Sequence, residues 1–155
     1  SPSYSKKAGA MIMFFNFIYN SDNRTIQIKD IVIKLGYDLS GIAISNDKLI
    51  IQYISKQNPQ PQNNVIAYDH NGEFLWNIKE IMDKDLNYQN ILNKNDVFCS
   101  IEVFTKDSRP YSELYEFDMN TLKDNRDYLY LYGWSGRTYI IDLQTNEVIY
   151  IQGHK

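Results

Sequence analysis

The chain has 155 residues, of which 43% are hydrophobic and 14% aromatic, and its net charge is −3 at pH 7. A chain this rich in apolar side chains can bury enough surface to offset its ordering entropy, so the composition excludes a disordered protein and fits one domain. The mildly acidic balance argues against direct nucleic-acid binding, which needs a concentrated basic face. The single cysteine, Cys99, excludes an internal disulfide and favours a reducing compartment.

Residues 1–10 are polar and basic, and we interpret them as an appended cloning tail that precedes a single β-rich domain over residues 11–155. Residues 11–19 and 25–35 are β-type runs joined by polar turn formers. This pattern predicts a hairpin, with a further break near Asp30. The run at 11–18 is too short to span a membrane and lacks the features of a signal peptide, so we expect a cytoplasmic protein.

The next part of the chain alternates between turn and strand signals. Residues 36–41 predict a turn, 42–44 a short strand and 49–55 a longer one. Residues 56–64 contain two prolines and no large apolar side chain, so they predict an exposed loop within a hairpin.

One segment has helical periodicity. Ile78, Ile81, Met82 and Leu86 recur on one face, which predicts a short helix around residues 77–87. Asn77 is the expected N-cap of this helix.

Three stretches of the chain share one pattern, in which an alternating strand reaches an Asp, turns over polar residues and continues as a second apolar strand. They are residues 65–76, 114–122 and 138–150, and strand-like runs at 49–55, 97–105 and 128–134 precede them. Asp69, Asp118 and Asp142 end the first strands, where a carboxylate accepts hydrogen bonds from turn amides, so we assign them to turn chemistry. The sequence therefore predicts a mainly β fold built as an antiparallel meander of hairpins.

The phrase at residues 134–142, with its counterparts at 65–72 and 114–121, resembles the outer hairpin of a blade in β-propellers of the pyrroloquinoline-quinone-repeat or kelch kind. The resemblance covers about residues 49–151 and implies a propeller-like arrangement of strands. A closed propeller needs at least four blades of ~40 residues, and this chain offers three units. We therefore expect a propeller-like open sheet or a two-sheet sandwich.

Few residues form a pattern that indicates chemistry. His70 and His154 lack the spacing of a metal site, and residues 133–137 fit a hairpin turn better than a nucleophile elbow. Cys99 lies in an apolar run and is expected to be a small buried side chain. We expect no cofactor. A pair of carboxylates from Glu102, Glu113, Glu116 or Asp118 leaves a hydrolase open as an alternative.

Acidic and aromatic side chains are concentrated between residues 102 and 134. Alternation on the run 128–132 places Leu129 and Leu131 toward the core and three tyrosines on the opposite surface. These tyrosines either cover a sheet or form an exposed strip that binds a partner. The candidate partner-binding residues are Glu102, Asp107, Glu113, Tyr115, Glu116, Tyr128, Tyr130, Tyr132 and Trp134.

As a single acidic, tyrosine-rich, β-rich domain without a catalytic signature, the chain resembles small bacterial immunity proteins in type. The resemblance implies a non-catalytic domain that binds and blocks a cognate toxin, expected to be a basic protein such as a nuclease. Acidic residues would then steer the toxin and aromatic residues would anchor it. Two alternatives stay open, a propeller-like scaffold or glycan-recognition module and a carboxylate-dependent hydrolase.

Overall fold

The computed structural model describes residues 3–8, 11–57, 59–62, 64–91, 96–110 and 117–153. The protein is mainly β and antiparallel, which confirms the predicted fold class, and these residues form a two-stranded hairpin followed by three sheets with two short α-helices. The hairpin pairs β1 (Ser3–Ala8) with β2 (Met11–Asn16). Residues 3–8, which we interpret as part of a cloning tail, thus pair with the first strand of the predicted domain.

Sheet I has three strands, β3 (Ile18–Asn20), β4 (Thr25–Ile28) and β5 (Ile31–Lys34), in chain order. The turn at 21–24 confirms the predicted hairpin, and the break near Asp30 is the tight turn between β4 and β5. Lys29 adopts a left-handed φ of 52° in this turn.

Sheet II is a four-stranded meander of β6 (Asp38–Ser45), β7 (Lys48–Ile54), β8 (Val65–Asp69) and β9 (Phe74–Asn77). The strand expected at 42–44 begins earlier, because Asp38 and Leu39 already pair with the end of β7. The turn predicted over 36–41 therefore ends at residue 37.

Sheet III is a second four-stranded meander, of β10 (Phe98–Phe104), β11 (Tyr128–Gly133), β12 (Thr138–Asp142) and β13 (Glu147–Gln152). The described part of the hairpin predicted over 114–122, residues 117–122, forms no strand. Residues 114–116 lie outside the described residues, and 117–127 contain one 3₁₀ turn at Met119–Thr121 and no strand. Leu122 is buried beneath sheet III instead of pairing with a neighbouring strand, so β10 pairs directly with β11.

The predicted turn chemistry of the three aspartates is confirmed. Asp69 Oδ1 accepts hydrogen bonds from the amides of Asn71 (2.8 Å) and Glu73 (2.9 Å). Asp118 Oδ1 accepts one from the Asn120 amide at 2.9 Å. Asp142 Oδ1 accepts bonds from two amides of the β12–β13 turn, the nearer at 2.8 Å. Each carboxylate thus accepts hydrogen bonds from backbone amides of the turn that follows it.

The three sheets stack face to face in chain order. Sheet I packs on one face of sheet II through a cluster that includes Ile26, Ile28, Leu49 and Ile51. The other face of sheet II packs on sheet III through a larger cluster whose strand residues include Ile50, Ala67, Leu129, Leu131, Tyr139 and Ile141. Strand β10 lies beside β6 and β7, so the two four-stranded sheets meet closely along their first strands.

Helix α1 (Ile78–Asp83) lies against both β9 and β13, where it buries Ile78, Ile81 and Met82 in the cluster between sheets II and III. Asn77 is its N-cap, as predicted, and Asn77 Oδ1 accepts from the Glu80 amide at 3.0 Å. The helix ends at Asp83, with Lys84 as its C-cap, rather than near 87.

A second helix, α2 (Leu86–Gln89), follows with Asp85 as its N-cap. Because the chain restarts there, Leu86 leaves the apolar face on which the periodicity placed it and is exposed. Neither helix in the described part of the chain has the length and apolar character needed to cross a membrane.

Every edge strand of sheets II and III carries one extra residue that its neighbour does not pair. The extra residues are Ser40 in β6, Leu75 in β9, Cys99 in β10 and Ile149 in β13. All four are exposed. This corrects the expectation that Cys99 is buried, since the bulge turns its side chain out of the apolar run.

A buried amide joins sheets II and III at the end of the loop that was predicted to be exposed. Asn64 is completely buried, although residues 56, 57 and 62 of the same loop are exposed. Its Oδ1 accepts from the Phe98 amide at 2.7 Å, and its Nδ2 donates to the carbonyls of Phe98 and Tyr53, each at 2.8 Å. Gln52 Nε2 donates to the same Phe98 carbonyl at 2.6 Å. The Asn64 carboxamide thus pairs with β10 as a neighbouring strand would.

Candidate functional site

The turn between β11 and β12 presents the most exposed aromatic side chain described, Trp134, with 66% of its surface accessible. Two backbone hydrogen bonds of 2.9 Å close the turn, from the Gly133 amide to the Arg137 carbonyl and from the Gly136 amide to the Gly133 carbonyl. Gly136 has a φ of 89°, a conformation that favours glycine. The hairpin turn predicted for residues 133–137 is therefore confirmed.

A buried carboxylate holds this turn from below. Asp96 is 7% exposed and lies two residues before the first residue of β10. Its carboxylate accepts hydrogen bonds from the Ser135 hydroxyl and, at 3.3 Å, from the Ser135 amide. It also accepts a bond of 2.9 Å from the Tyr139 hydroxyl. One acidic side chain thus ties the tip of the hairpin to the strand that rises from it.

The close approach of Asp96 explains why residue 133 is glycine. A Cβ at Gly133 would lie 2.1 Å from Asp96 Oδ2, a separation that no pair of unbonded heavy atoms tolerates. The Trp134 amide, next in sequence, donates to the Val97 carbonyl at 2.9 Å. The backbone that carries the indole is therefore fixed on both sides.

The electrostatics of the cluster keep its donors in place. Burial, followed by the charge of Asp96 and the hydrogen bond to it, raises the pKa of Tyr139 well above its ordinary value, while Arg137 opposes the shift. Tyr139 therefore stays protonated and donates to the carboxylate over the physiological pH range. The Asp96 carboxylate accepts from the hydroxyl and amide of Ser135 and from the hydroxyl of Tyr139, and these bonds hold the turn in position.

The exposed tyrosine strip is contradicted by the structure. Tyr128 and Tyr130 are 2% and 3% exposed, and Tyr132 is partly buried. The predicted alternation is correct, because Leu129 and Leu131 pack between sheets II and III while the tyrosines occupy the opposite face. That face is itself covered by Leu122, Phe117 and Met119, which form one cluster with the side chains that sheet III presents there. The tyrosines cover the sheet, which was the other reading of the pattern.

The two acidic candidates that the structure describes, Glu102 and Asp107, do not join Trp134 in one patch. Asp107 is exposed in the turn that follows β10, and Glu102 is partly buried on β10 opposite Tyr130. The six-residue strand β11 separates the Asp107 end of sheet III from Trp134, a distance of roughly 20 Å at ~3.3 Å per residue. Glu113, Tyr115 and Glu116 lie outside the described residues.

Sequence reasoning missed Asp96 and found the turn it supports. The only available signal was the pair of glycines that flank Trp134 and Ser135, because one of them makes room for a carboxylate that lies 37 residues earlier in the chain. Among the described residues, no group of three or more His, Cys, Asp or Glu side chains lies close enough to hold a metal ion.

Two open clefts lie between the helices and sheet III. The larger, of about 680 Å³, lies between the α1–α2 junction and the β12–β13 turn and is lined by residues such as Leu86, Asn146 and Val148. The smaller, of about 430 Å³, includes Asn87, Arg137 and Ile151. Both are shallow and mix apolar with charged or amide side chains, which distinguishes them from the enclosed apolar pockets typical of small-molecule sites.

Comparison with known proteins gives no family or fold relative: no family model, curated protein or solved structure matches the chain.

Proposed function

We propose that this domain binds another protein and that Trp134 is its principal anchor. The observation that supports the proposal is an indole with two thirds of its surface exposed on a turn fixed by Asp96. Tryptophan is enriched among the residues that dominate binding energy at interfaces. Because the turn is ordered before binding, little conformational entropy remains to be lost on association.

Within that class we propose an immunity protein that acts in the cytoplasm and neutralises a basic bacterial toxin. The net charge of −3 and the exposed acids Asp107 and Asp124 support this assignment. Negative charge raises the association rate with a basic partner even when it lies outside the anchoring contact. Asp107 is about 20 Å from Trp134, so its role is steering, while Trp134 sets the dissociation rate.

The test compares capture by the immobilised wild type with capture by Trp134→Ala. Phe74→Ala is the matched control, because Phe74 is an aromatic side chain of similar exposure (52%) on sheet II. We expect a basic protein from the native host to be retained by the wild type and by the control. Trp134→Ala should bind it at least 30-fold more weakly, as the loss of a ~2 kcal/mol interface anchor implies.

The proposed steering role of Asp107 and Asp124 can be tested separately, by measuring the kinetics of binding to the captured protein. Asp107→Asn combined with Asp124→Asn should slow association and flatten its salt dependence, while leaving dissociation unchanged. Equal affinity of the wild type and Trp134→Ala for the captured protein contradicts the anchor. If the wild type captures a glycan instead of a protein, the glycan-recognition alternative is supported and the protein-binding proposal is contradicted.

A further inference from the structure

The edge strand β5 differs from the edges of the two four-stranded sheets. Each of those four edges contains a bulge, a device that prevents an edge strand from pairing with another chain. The pairing of β5 with β4 is uninterrupted. Two of its β-branched side chains are exposed, Ile31 by 46% and Val32 by 60%.

The backbone of β5 presents hydrogen-bonding groups to this open edge at defined positions. Ile31 pairs with Ile28 across a two-residue turn, and the Leu35 amide donates to the Arg24 carbonyl at 2.8 Å. In an antiparallel ladder, alternate residues direct both backbone groups to the same neighbour. Residues 31, 33 and 35 therefore face β4, and the N–H and C=O of Val32 face outward.

The sequence around Val32, Asp30-Ile31-Val32-Ile33-Lys34, is complementary to itself in antiparallel orientation, because opposite charges and like apolar side chains are equally spaced on either side of Val32. We infer that β5 pairs antiparallel with β5 of a second copy of this chain, with Val32 on the two-fold axis. In this register the two Val32 residues exchange both outward-facing backbone hydrogen bonds. Ile31 then lies opposite Ile33 of the second copy, and Asp30 lies opposite Lys34 of the second copy.

Charge complementarity identifies a second copy as the occupant of this edge. Asp30 and Lys34 are both exposed, and no ion pair within the described residues involves either of them. Opposite charges directly across a strand pair stabilise it, and like charges destabilise it. The outward direction of the Val32 backbone groups and the charges of Asp30 and Lys34 are independent observations, and both select this register.

The dimer is isologous and joins the two copies of sheet I into one six-stranded sheet. Its contact is a strand of four residues, far smaller than the ~1,600 Å² of a standard stable interface. The association is therefore weak and depends on concentration. It involves sheet I alone, so it is independent of the protein partner proposed for Trp134.

The experiment is sedimentation equilibrium of the full chain between roughly 10 μM and 1 mM, a range that covers dissociation constants typical of weak complexes. We expect the wild type to dimerise within this range. Val32→Pro removes the outward N–H but leaves the β4–β5 ladder intact, because proline is tolerated where an edge N–H faces solvent. Its dissociation constant should rise at least tenfold, whereas Val32→Thr, which keeps the N–H and a similar shape, should dimerise like the wild type.

Charge reversal tests the register without changing the backbone. Asp30→Lys and Lys34→Asp should each be monomeric, because each places like charges opposite one another at both ends of the pair. An equimolar mixture of the two variants should dimerise again, since every pair in the mixed dimer is then of opposite charge. If the circular dichroism of Val32→Pro shows unfolding, this mixing experiment decides.

Three results overturn the inference: a wild type that stays monomeric throughout the range, a folded Val32→Pro that dimerises like the wild type, or variants that do not associate when mixed. A dimer that is indifferent to all of these substitutions places the contact on another surface.

Discussion

The two interfaces between sheets are built differently. Sheet I meets sheet II through an apolar cluster, and its polar contacts lie at exposed or partly buried positions. These are the bond from Lys29 to Asn71 (2.7 Å), the bond from the Leu39 amide to the Tyr19 hydroxyl (3.3 Å) and the ion pair of Arg24 with Asp38 (3.1 Å). Sheet II meets sheet III through a larger apolar cluster that is crossed by the buried amides of Asn64 and Gln52. The difference is one of burial: fully buried hydrogen bonds cross the second interface, whereas the hydrogen bonds across the first are exposed or only partly buried.

The difference has an energetic meaning. Apolar contact is non-directional, so it stabilises a stack of sheets without selecting one alignment. A buried carboxamide is stable only where its donors and acceptors are all paired, and a small slip leaves them unsatisfied. We therefore expect Asn64 to fix how sheet III sits on sheet II, and the positioning of Trp134 depends on that alignment.

The strongest test of this comparison is Asn64→Leu, which keeps the number and branching of the side-chain heavy atoms but removes the amide. The Phe98 amide and the Tyr53 carbonyl lose their partners, and each orphaned buried group costs ~1–3 kcal/mol. We expect the free energy of unfolding to fall by about 3–5 kcal/mol in urea titrations.

The matched control is Gln62→Leu, which makes the same kind of substitution at an exposed position of the same loop. Its effect should stay within about 0.5 kcal/mol. If Asn64→Leu and Gln62→Leu lower the free energy of unfolding by similar amounts, the buried amide of Asn64 does not distinguish the interface of sheets II and III from that of sheets I and II.

Tyr139→Phe probes the second buried polar contact of sheet III, its bond to Asp96. Loss of a hydrogen bond to a charged group should lower stability by about 2 kcal/mol at neutral pH. The folded protein raises the pKa of Tyr139 above the ordinary value of 10.0, so this contribution is present below pH 10 and is lost as the pH rises further.

The pH dependence separates this contact from simple packing. Between pH 10 and the onset of alkaline unfolding, the stability of the wild type should fall more steeply than that of Tyr139→Phe. Burial also raises the pKa values of Tyr53 and Tyr68, but both proteins retain these tyrosines, so the difference isolates residue 139. Parallel pH profiles would count against a role for the Tyr139 proton.

The smallest effect is expected at the apolar interface. Ile26 is completely buried between sheets I and II, and Ile26→Val removes one methyl group there. We expect a loss of about 1 kcal/mol, measured by urea unfolding. The environment of Trp134 should not change, measured by tryptophan fluorescence with Trp76 replaced by Phe in both proteins, because the chain has two tryptophans. A shift in the Trp134 signal would show that the apolar interface also controls the alignment of sheet III.

Local rules predicted a large part of this fold. The aspartate turns, the Asn77 cap and the alternation of leucine and tyrosine on β11 each depend on residues close in sequence, and all three are confirmed. Asn64 and Asp96 were missed because their partners lie 34 and 39 residues away in the chain. The burial of Tyr128 and Tyr130 was missed for the same reason, since alternation tells which face a side chain occupies but not whether another layer covers that face.

The bulge at Cys99 makes the protein convenient to label. The only thiol of the chain is exposed two residues from Val97, whose carbonyl accepts the Trp134 amide. A fluorophore attached there would report on the neighbourhood of the indole without any added cysteine. Partial burial raises the pKa of the Cys99 thiol, so alkylation should be slower than that of a free cysteine and is best carried out at mildly alkaline pH.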